Sequence, residues 1–274
     1  MIEQHRDILQ PATNMQVSIL PITQATTATF IDLYFRLTFL FFIQTGSKKV
    51  ICPYHGELIG EAGDLMIFPP GSMVTMENRP ILNDHYRADG VSFTDDLVHT
   101  VFNDPQLNSS SRGIQVVRSD HFQQQPSQIL GLIKNTLNNQ ELPLEIKQHR
   151  LLEPLIWLRQ NGIQLSTQNQ KQALNKVRQL LESDLSHSWR ISEVAQHFAM
   201  SEATLRRWLA KTGNSFSHIL LNTRLEKGLT LLQTTNLPIS QIAVECGFKT
   251  PSYFSDSFKK RFKIKPKRIR STED

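Results

Sequence analysis

An adjacent arginine pair, Arg206-Arg207, is followed four residues later by Lys211, in a stretch whose apolar residues recur at helical spacing. A guanidinium is a planar fork that fits O6 and N7 of guanine. Two of them on one short helix are therefore chemistry for reading a DNA duplex. A second basic group, Lys260, Arg261, Lys263, Lys265, Lys267 and Arg268, lies nearer the C-terminus. Side chains of this kind hold phosphates, which position a protein on DNA without specifying sequence, or they are solvated. The sequence offers little for catalysis: it has no nucleophile elbow, phosphate loop or Cys-x-x-Cys. His55 and Glu57, with His85 further along, are residue types that bind transition metals, but a His-x-His pair with a downstream glutamate is missing. No cofactor is expected, and no metal.

The charge is unevenly spread. Residues 171–274 hold 18 Lys+Arg and 9 Asp+Glu, while residues 1–170 hold 12 and 16. A basic end on a mildly acidic remainder implies that only one end meets a polyanion. The length of 274 residues suits two ordinary domains. The most apolar run, Leu37 to Ile43, is far short of the roughly 20 residues of a membrane span. The first residues show no basic stretch followed by an apolar one, so no signal peptide is expected. Cys52 and Cys246 fall in different expected domains, which excludes a disulfide framework and fits a reducing cytoplasm.

The elements that must position the arginine pair come from an internal repeat. Ile191-Ser192-Glu193-Val194-Ala195 parallels Ile239-Ser240-Gln241-Ile242-Ala243, each opening a short amphipathic helix. A tight break follows each one, Phe198 to Ser201 in the first and Cys246 to Thr250 in the second. Each break leads into a second helix, with Leu205, Trp208 and Leu209 or Phe254, Phe258 and Phe262 on its apolar side. The second break is longer by one residue. Ser201 and Thr250 are N-caps, Pro251 suits a first helical position, and Gly247 suits the turn. This is a helix-turn-helix, twice. A connecting helix is expected from Phe216 to Leu232, and another from about Gln172 to Ser183. A generic helical bundle explains one such pattern more easily than two on one basic segment.

From about Val177 to Ile269 the sequence resembles the AraC/XylS family of bacterial regulators. The resemblance rests on Ile239-Ser240-Gln241-Ile242-Ala243, Cys246-Gly247-Phe248, Ser252-Tyr253-Phe254-Ser255, Phe258-Lys259 and the Phe262…Pro266 ending. It extends, less tightly, through Ala195, Met200-Ser201, Thr204-Leu205 and Arg206-Arg207. Gly213-Asn214-Ser215-Phe216 is similar to the subgroup of enteric virulence and acid-response regulators. The resemblance implies two recognition helices in successive major-groove segments, about 34 Å apart. It implies a DNA-facing set of Ser201, Glu202, Ala203, Arg206, Arg207 and Lys211 in the first unit. In the second unit the set is Thr250, Ser252, Ser255, Asp256, Lys259 and Lys260. In the family, the positions of Ala203, Arg206 and Arg207 tend to touch bases. Asp256 would repel phosphates unless it pairs with Lys260 or accepts from cytosine N4.

Residues 15–120 read as β-rich, with strands over Val17–Leu20, Leu37–Ile43, Lys49–Cys52, Leu65–Phe68 and Gly90–Phe93. Glu61 to Gly71, with Gly63-Asp64 and Pro70, resembles the hairpin of cupin-like sensor domains. Helices are expected over Ser127–Asn138 and Leu144–Arg159. The second carries more apolar residues than one core needs, which suits either a homodimer interface or burial against the barrel. The polar stretch 161–171 reads as a linker. The expected organisation is α+β. A cupin-like barrel with two trailing helices occupies 1–160, and an all-α domain with two helix-turn-helix units joined by a linker helix occupies 172–274. In the barrel, Phe39, Phe41 and Phe68 either fill the core or line a pocket for a small apolar or anionic effector, with Arg36 or the Lys48-Lys49 pair meeting a carboxylate. Some relatives hold fatty acids with lysines from both domains; Phe39 and Gln233 stand at those places here.

The function these features imply is a cytoplasmic, non-enzymatic, sequence-specific transcription regulator. The resemblance makes it an activator, with promoter DNA and RNA polymerase as partners. Two alternatives remain open: a cupin-type metal enzyme fused to a DNA-binding domain, and a nonspecific architectural DNA binder.

Overall fold

A strand that is apolar on both faces must be covered twice, and the run from Leu37 to Ile43 is. In the computed structural model, which describes residues 16–52, 56–102, 113–119, 125–165 and 173–271, this run lies, from Thr38 on, in β3 (Thr38–Thr45). Leu40 and Phe42 join a core with Ile129 and Ile133 of α2 (Pro126–Asn138) and Leu151, Leu155 and Leu158 of α3 (Leu144–Gln160). Phe39 and Phe41 alternate to the other face, as strand geometry requires. There they meet Phe68 of β6 (Leu65–Phe68) and Phe35 of β2 (Ala28–Phe35), with ring centroids 4.7 to 5.8 Å apart.

These aromatics sit between two antiparallel sheets. One contains β1 (Val17–Gln24), β8 (Tyr86–Phe93), β3, β6 and β9 (Gln115–Val117), in that order. The other contains β2, β7 (Ser72–Arg79), β4 (Ser47–Cys52) and β5 (Gly56–Glu61). The Gly-Asp hairpin between β5 and β6 is locked by Asp64. Its carboxylate accepts from the Glu61 and Ser119 amides and from Arg118, at 2.7 Å for the last. A short helix, α1 (Asp95–Val101), follows β8 and packs on α3. β2, β5, β7, β9 and α1 are additions to the elements expected from sequence.

The described residues divide into two compact units at Gln168/Asn169. The expected linker 161–171 begins inside the first: Leu165 is buried and Ile163 packs on the same core. Residues 166–171 lie outside the described residues. The second unit is all helical: α4 (Ala173–Ser183), α5 (Ile191–His197), α6 (Glu202–Ala210), α7 (Phe216–Thr234), α8 (Ile239–Glu245), α9 (Pro251–Phe262) and α10 (Pro266–Arg270). No described helix is long and apolar enough to cross a membrane. Cys52 and Cys246 are both buried free thiols.

Candidate nucleic-acid interface

The two helix-turn-helix units close their turns in the same way. In each, the second residue of the break takes a left-handed conformation, Ala199 at φ 51° and Gly247 at φ 74°. The next amide reaches back five residues, from Met200 to the Ala195 carbonyl and from Phe248 to the Ala243 carbonyl, at 2.9 and 2.8 Å. The preceding amides bond to Gln196 and Val244, three residues back, so both helices end in the same Schellman geometry. Ala195 and Ala243 are buried at the crossing, where a larger side chain would hold the helices apart.

Each turn delivers a capped second helix. The Ser201 hydroxyl accepts from the Thr204 amide at 3.1 Å, and the Thr250 hydroxyl accepts from the Tyr253 amide at 3.2 Å. Leu205 and Leu209 bury the inner side of α6, and Phe254, Phe258 and Phe262 bury that of α9. The opposite side of α6 is exposed at Ser201, Glu202, Ala203, Arg206 and Arg207, with Lys211 beyond its end. On α9 the exposed side carries Ser252, Asp256, Lys259 and Lys260, with Thr250 at its start and Ser255 half-buried. Tyr253 belongs to this surface too, at 58% exposure; the sequence signal was a large aromatic next to Ser252, off the Phe254–Phe258–Phe262 stripe.

The electrostatics separate the two arginines. Arg206 lies 3.5 Å from Glu202, one turn back on the same helix. Arg207 has no side-chain partner among the described residues, so its five donors are available to a ligand. Asp256 makes no ion pair with Lys260 among the described residues, contrary to one of the two roles expected of it. Its carboxylate is left as a pure acceptor.

Several basic residues turn inward. Arg261, expected to hold phosphate or be solvated, bonds instead to Glu226 of α7 and to the Asn222 carbonyl. Arg178 of α4 pairs with the same Glu226. Arg270 donates to the carbonyls of Leu231, Leu232, Thr235 and Leu237, capping the C-terminus of α7. Arg224 donates to the Leu185 and His187 carbonyls. The basic surface is therefore built mainly from α6 and from the lysines of α9 and the segment after it.

Residues 194–272 match the family described as "Helix-turn-helix domain". The transcriptional regulator SirC of Salmonella typhimurium is 44% identical over 91 residues, 33% of this chain and 31% of that protein. The transcriptional activator AggR of Escherichia coli is 39% identical over 95 residues, 35% of this chain and 36% of that one. The second unit is similar to these regulators over its helix-turn-helix region. The matches span about a third of the length of these relatives. Over nearly the whole chain, the fold resembles that of ToxT from Vibrio cholerae, in a crystal structure with unsaturated fatty acid bound. The TM-score is 0.65 with 16% identity, covering 92% of this chain and 94% of that one. The likeness is one of fold: α+β, with a cupin-like first unit followed by a helical helix-turn-helix unit.

In the first unit, Phe39, Phe41 and Phe68 come together as an aromatic cluster, and Lys48 joins them. Its Nζ lies 4.1 Å from the Phe41 ring centroid and 5.2 Å from that of Tyr86. The expected Lys48-Lys49 pair is split by strand alternation. Lys49 points out to Glu57 at 2.5 Å, while Lys48 points in, is fully buried and donates to Asn78 Oδ1 at 2.5 Å. Asn78 donates in turn to Gln24 at 2.9 Å. No carboxylate among the described residues reaches Lys48, and burial pulls its pKa down to about 7. The buried Tyr86 hydroxyl has no hydrogen-bond partner among the described atoms. Arg36 lies half-buried in the turn between β2 and β3. Among the described residues no three His, Cys, Asp or Glu side chains gather as metal ligands; His55 lies outside them.

Proposed function

We propose that this protein is a sequence-specific DNA-binding transcription regulator, an activator, that reads two elements about one helical turn apart. The observation that carries this reading is the pair of capped second helices, each with its apolar stripe buried and its polar side open. Arg207 is the base reader, with Ala203 and Arg206 beside it and Lys211 on the backbone. Ser252, Ser255 and Asp256 read the second element more weakly, and Lys259 and Lys260 hold phosphates. A non-enzymatic, cytoplasmic role and contact with RNA polymerase follow from the same reading, as does pairing of two copies through α3. On α3, Leu144, Ile146 and Ile156 are each more than 40% exposed.

The test is selection of duplexes from a random pool, followed by binding of winners and losers at fixed salt. Enrichment of a bipartite motif is expected. Equal affinity for all sequences would replace this reading with a nonspecific binder.

A second observation favours effector control. The Phe39–Phe41–Phe68 cluster with Lys48 at its edge offers apolar area beside a buried amine that no carboxylate among the described residues reaches, and the ToxT structure carries a fatty acid. A small apolar or anionic effector in the barrel is expected to raise the melting temperature of the first unit. An unchanged melting temperature across a panel of fatty acids would remove this part.

A further inference from the structure

Two recognition helices can enter successive stretches of one groove only if their separation and rotational phase are held. The two units here are joined by α7, and apolar packing supplies part of the joint. Gly228 of α7 lies under the Phe254 ring of α9, where an added Cβ would come within 2.6 Å. Apolar contacts alone allow a helix to slide or roll, because they have little direction.

A charge cluster supplies the direction. Glu226, mid-way along α7, accepts from Arg178 of α4 through both oxygens, at 2.5 and 3.3 Å. It also accepts from Arg261, near the end of α9, at 2.5 Å. The side chains of Arg178, Glu226 and Arg261 are only 5, 15 and 11% exposed. Arg261 is further tied to the Asn222 carbonyl at 2.8 Å. α4 packs against both α6 and α7. One carboxylate thus connects the helix that supports the first recognition helix to the second recognition helix itself. Burial would raise the Glu226 pKa, but the Arg178 and Arg261 guanidiniums outweigh it and hold the group below the usual carboxylate range. Buried ion triads add little stability over apolar replacements, but bidentate guanidinium pairs fix an orientation.

We propose that Glu226, with Arg178 and Arg261, is the positioning cluster that sets the phase between α6 and α9, and with it the spacing of DNA elements the protein accepts. This rests on the reading that both helices enter DNA. The three side chains need not touch DNA; they act through the helices they tie.

The test uses the full-length chain, wild type and Glu226→Gln, on duplexes carrying the selected pair of elements. The spacer is altered by one base pair in either direction, and a duplex with a single element and a random duplex serve as references. Each base pair moves one element by about 3.4 Å and about a tenth of a turn. Wild type is expected to lose about tenfold or more on each altered spacer, comparable to a mismatched base pair. Glu226→Gln is expected to discriminate among spacers by only a few fold while keeping wild-type affinity for the single element. If its spacer preference matches wild type, whether or not overall affinity falls, the cluster is only structural and the proposal is overturned. If wild type itself does not prefer paired elements to random DNA, the underlying reading falls, and this inference with it. If Glu226→Gln fails to fold, the apolar variant Arg178→Met/Glu226→Leu/Arg261→Met carries the same comparison, with the same two outcomes.

Discussion

Replacing Lys48 by Met is expected to stabilise the first unit at neutral pH, by an amount that depends on pH in one direction. Lys48 is fully buried, and its pKa is about 7 rather than the ordinary 10.5. Between those values the unfolded chain binds the proton and the folded one does not. Stability therefore rises with pH through this window and is lowest at and below pH 7. The slope approaches a factor of ten in the folding equilibrium per pH unit, or about 5 kcal/mol over the whole window. Met removes this penalty at similar length and flexibility. It also strands Asn78 Oδ1, which costs about 1–3 kcal/mol. The net expectation is a gain of about 2–4 kcal/mol at pH 7 that vanishes by about pH 10. Urea unfolding from pH 6.5 to 10 measures it, followed by the fluorescence of Trp157, which lies in the first unit's core. A Trp189→Phe/Trp208→Phe background silences the second unit's reporters. Parallel pH profiles for the wild-type chain and the Lys48→Met variant, or a loss of stability at pH 7, would refute the reasoning.

Other expectations concern the second unit. Arg207→Ala should weaken binding to a selected duplex by about 1–3 kcal/mol and relax base preference, while Lys260→Ala should weaken binding to all sequences alike and flatten the salt dependence. Equilibrium binding at several salt concentrations separates the two. Gly247→Ala should destabilise the unit by about 3 kcal/mol or more, because left-handed backbone costs about 1–2 kcal/mol and the added Cβ would collide with the Leu185 carbonyl. Thermal unfolding read through Trp208 checks it. Ala199→Gly relieves the same left-handed strain in the first copy and should raise stability by up to about 1 kcal/mol in the same measurement.

The helix-turn-helix pair was legible because its determinants are local. Caps at Ser201 and Thr250, Pro251 at a helix start and apolar residues at helical spacing each act within a few positions. The strand from Leu37 was legible by its apolar run, although its double burial became clear only with α2 and α3 in place. β4 was read only from Lys49 on, and β7 not at all, because Lys48 and Asn78 sit in the barrel interior. Their polarity breaks the apolar alternation that marks a strand. β9 is three residues long and is fixed only by its partner β6. Among the site residues, the exposed face of α6 follows directly from helical period. The inward turn of Arg261 does not: it sits in a run of Lys and Arg that reads as solvated, and its partner Glu226 lies 35 residues away. The loss of an Asp256–Lys260 pair is equally silent in the sequence, since four-residue spacing permits that contact without requiring it.

The turn at Gly247 also bears on how the repeat can be dissected. The carbonyl that crowds Gly247 belongs to Leu185, which precedes the first copy, and Arg224 clamps that carbonyl and the one at His187. The second copy therefore leans on chain that lies ahead of the first. A fragment cut at α7 would keep every residue of the second motif and lose the wall its turn is built against. The smallest excisable piece of this unit starts before Leu185, and because Arg178 anchors Glu226, it starts at α4.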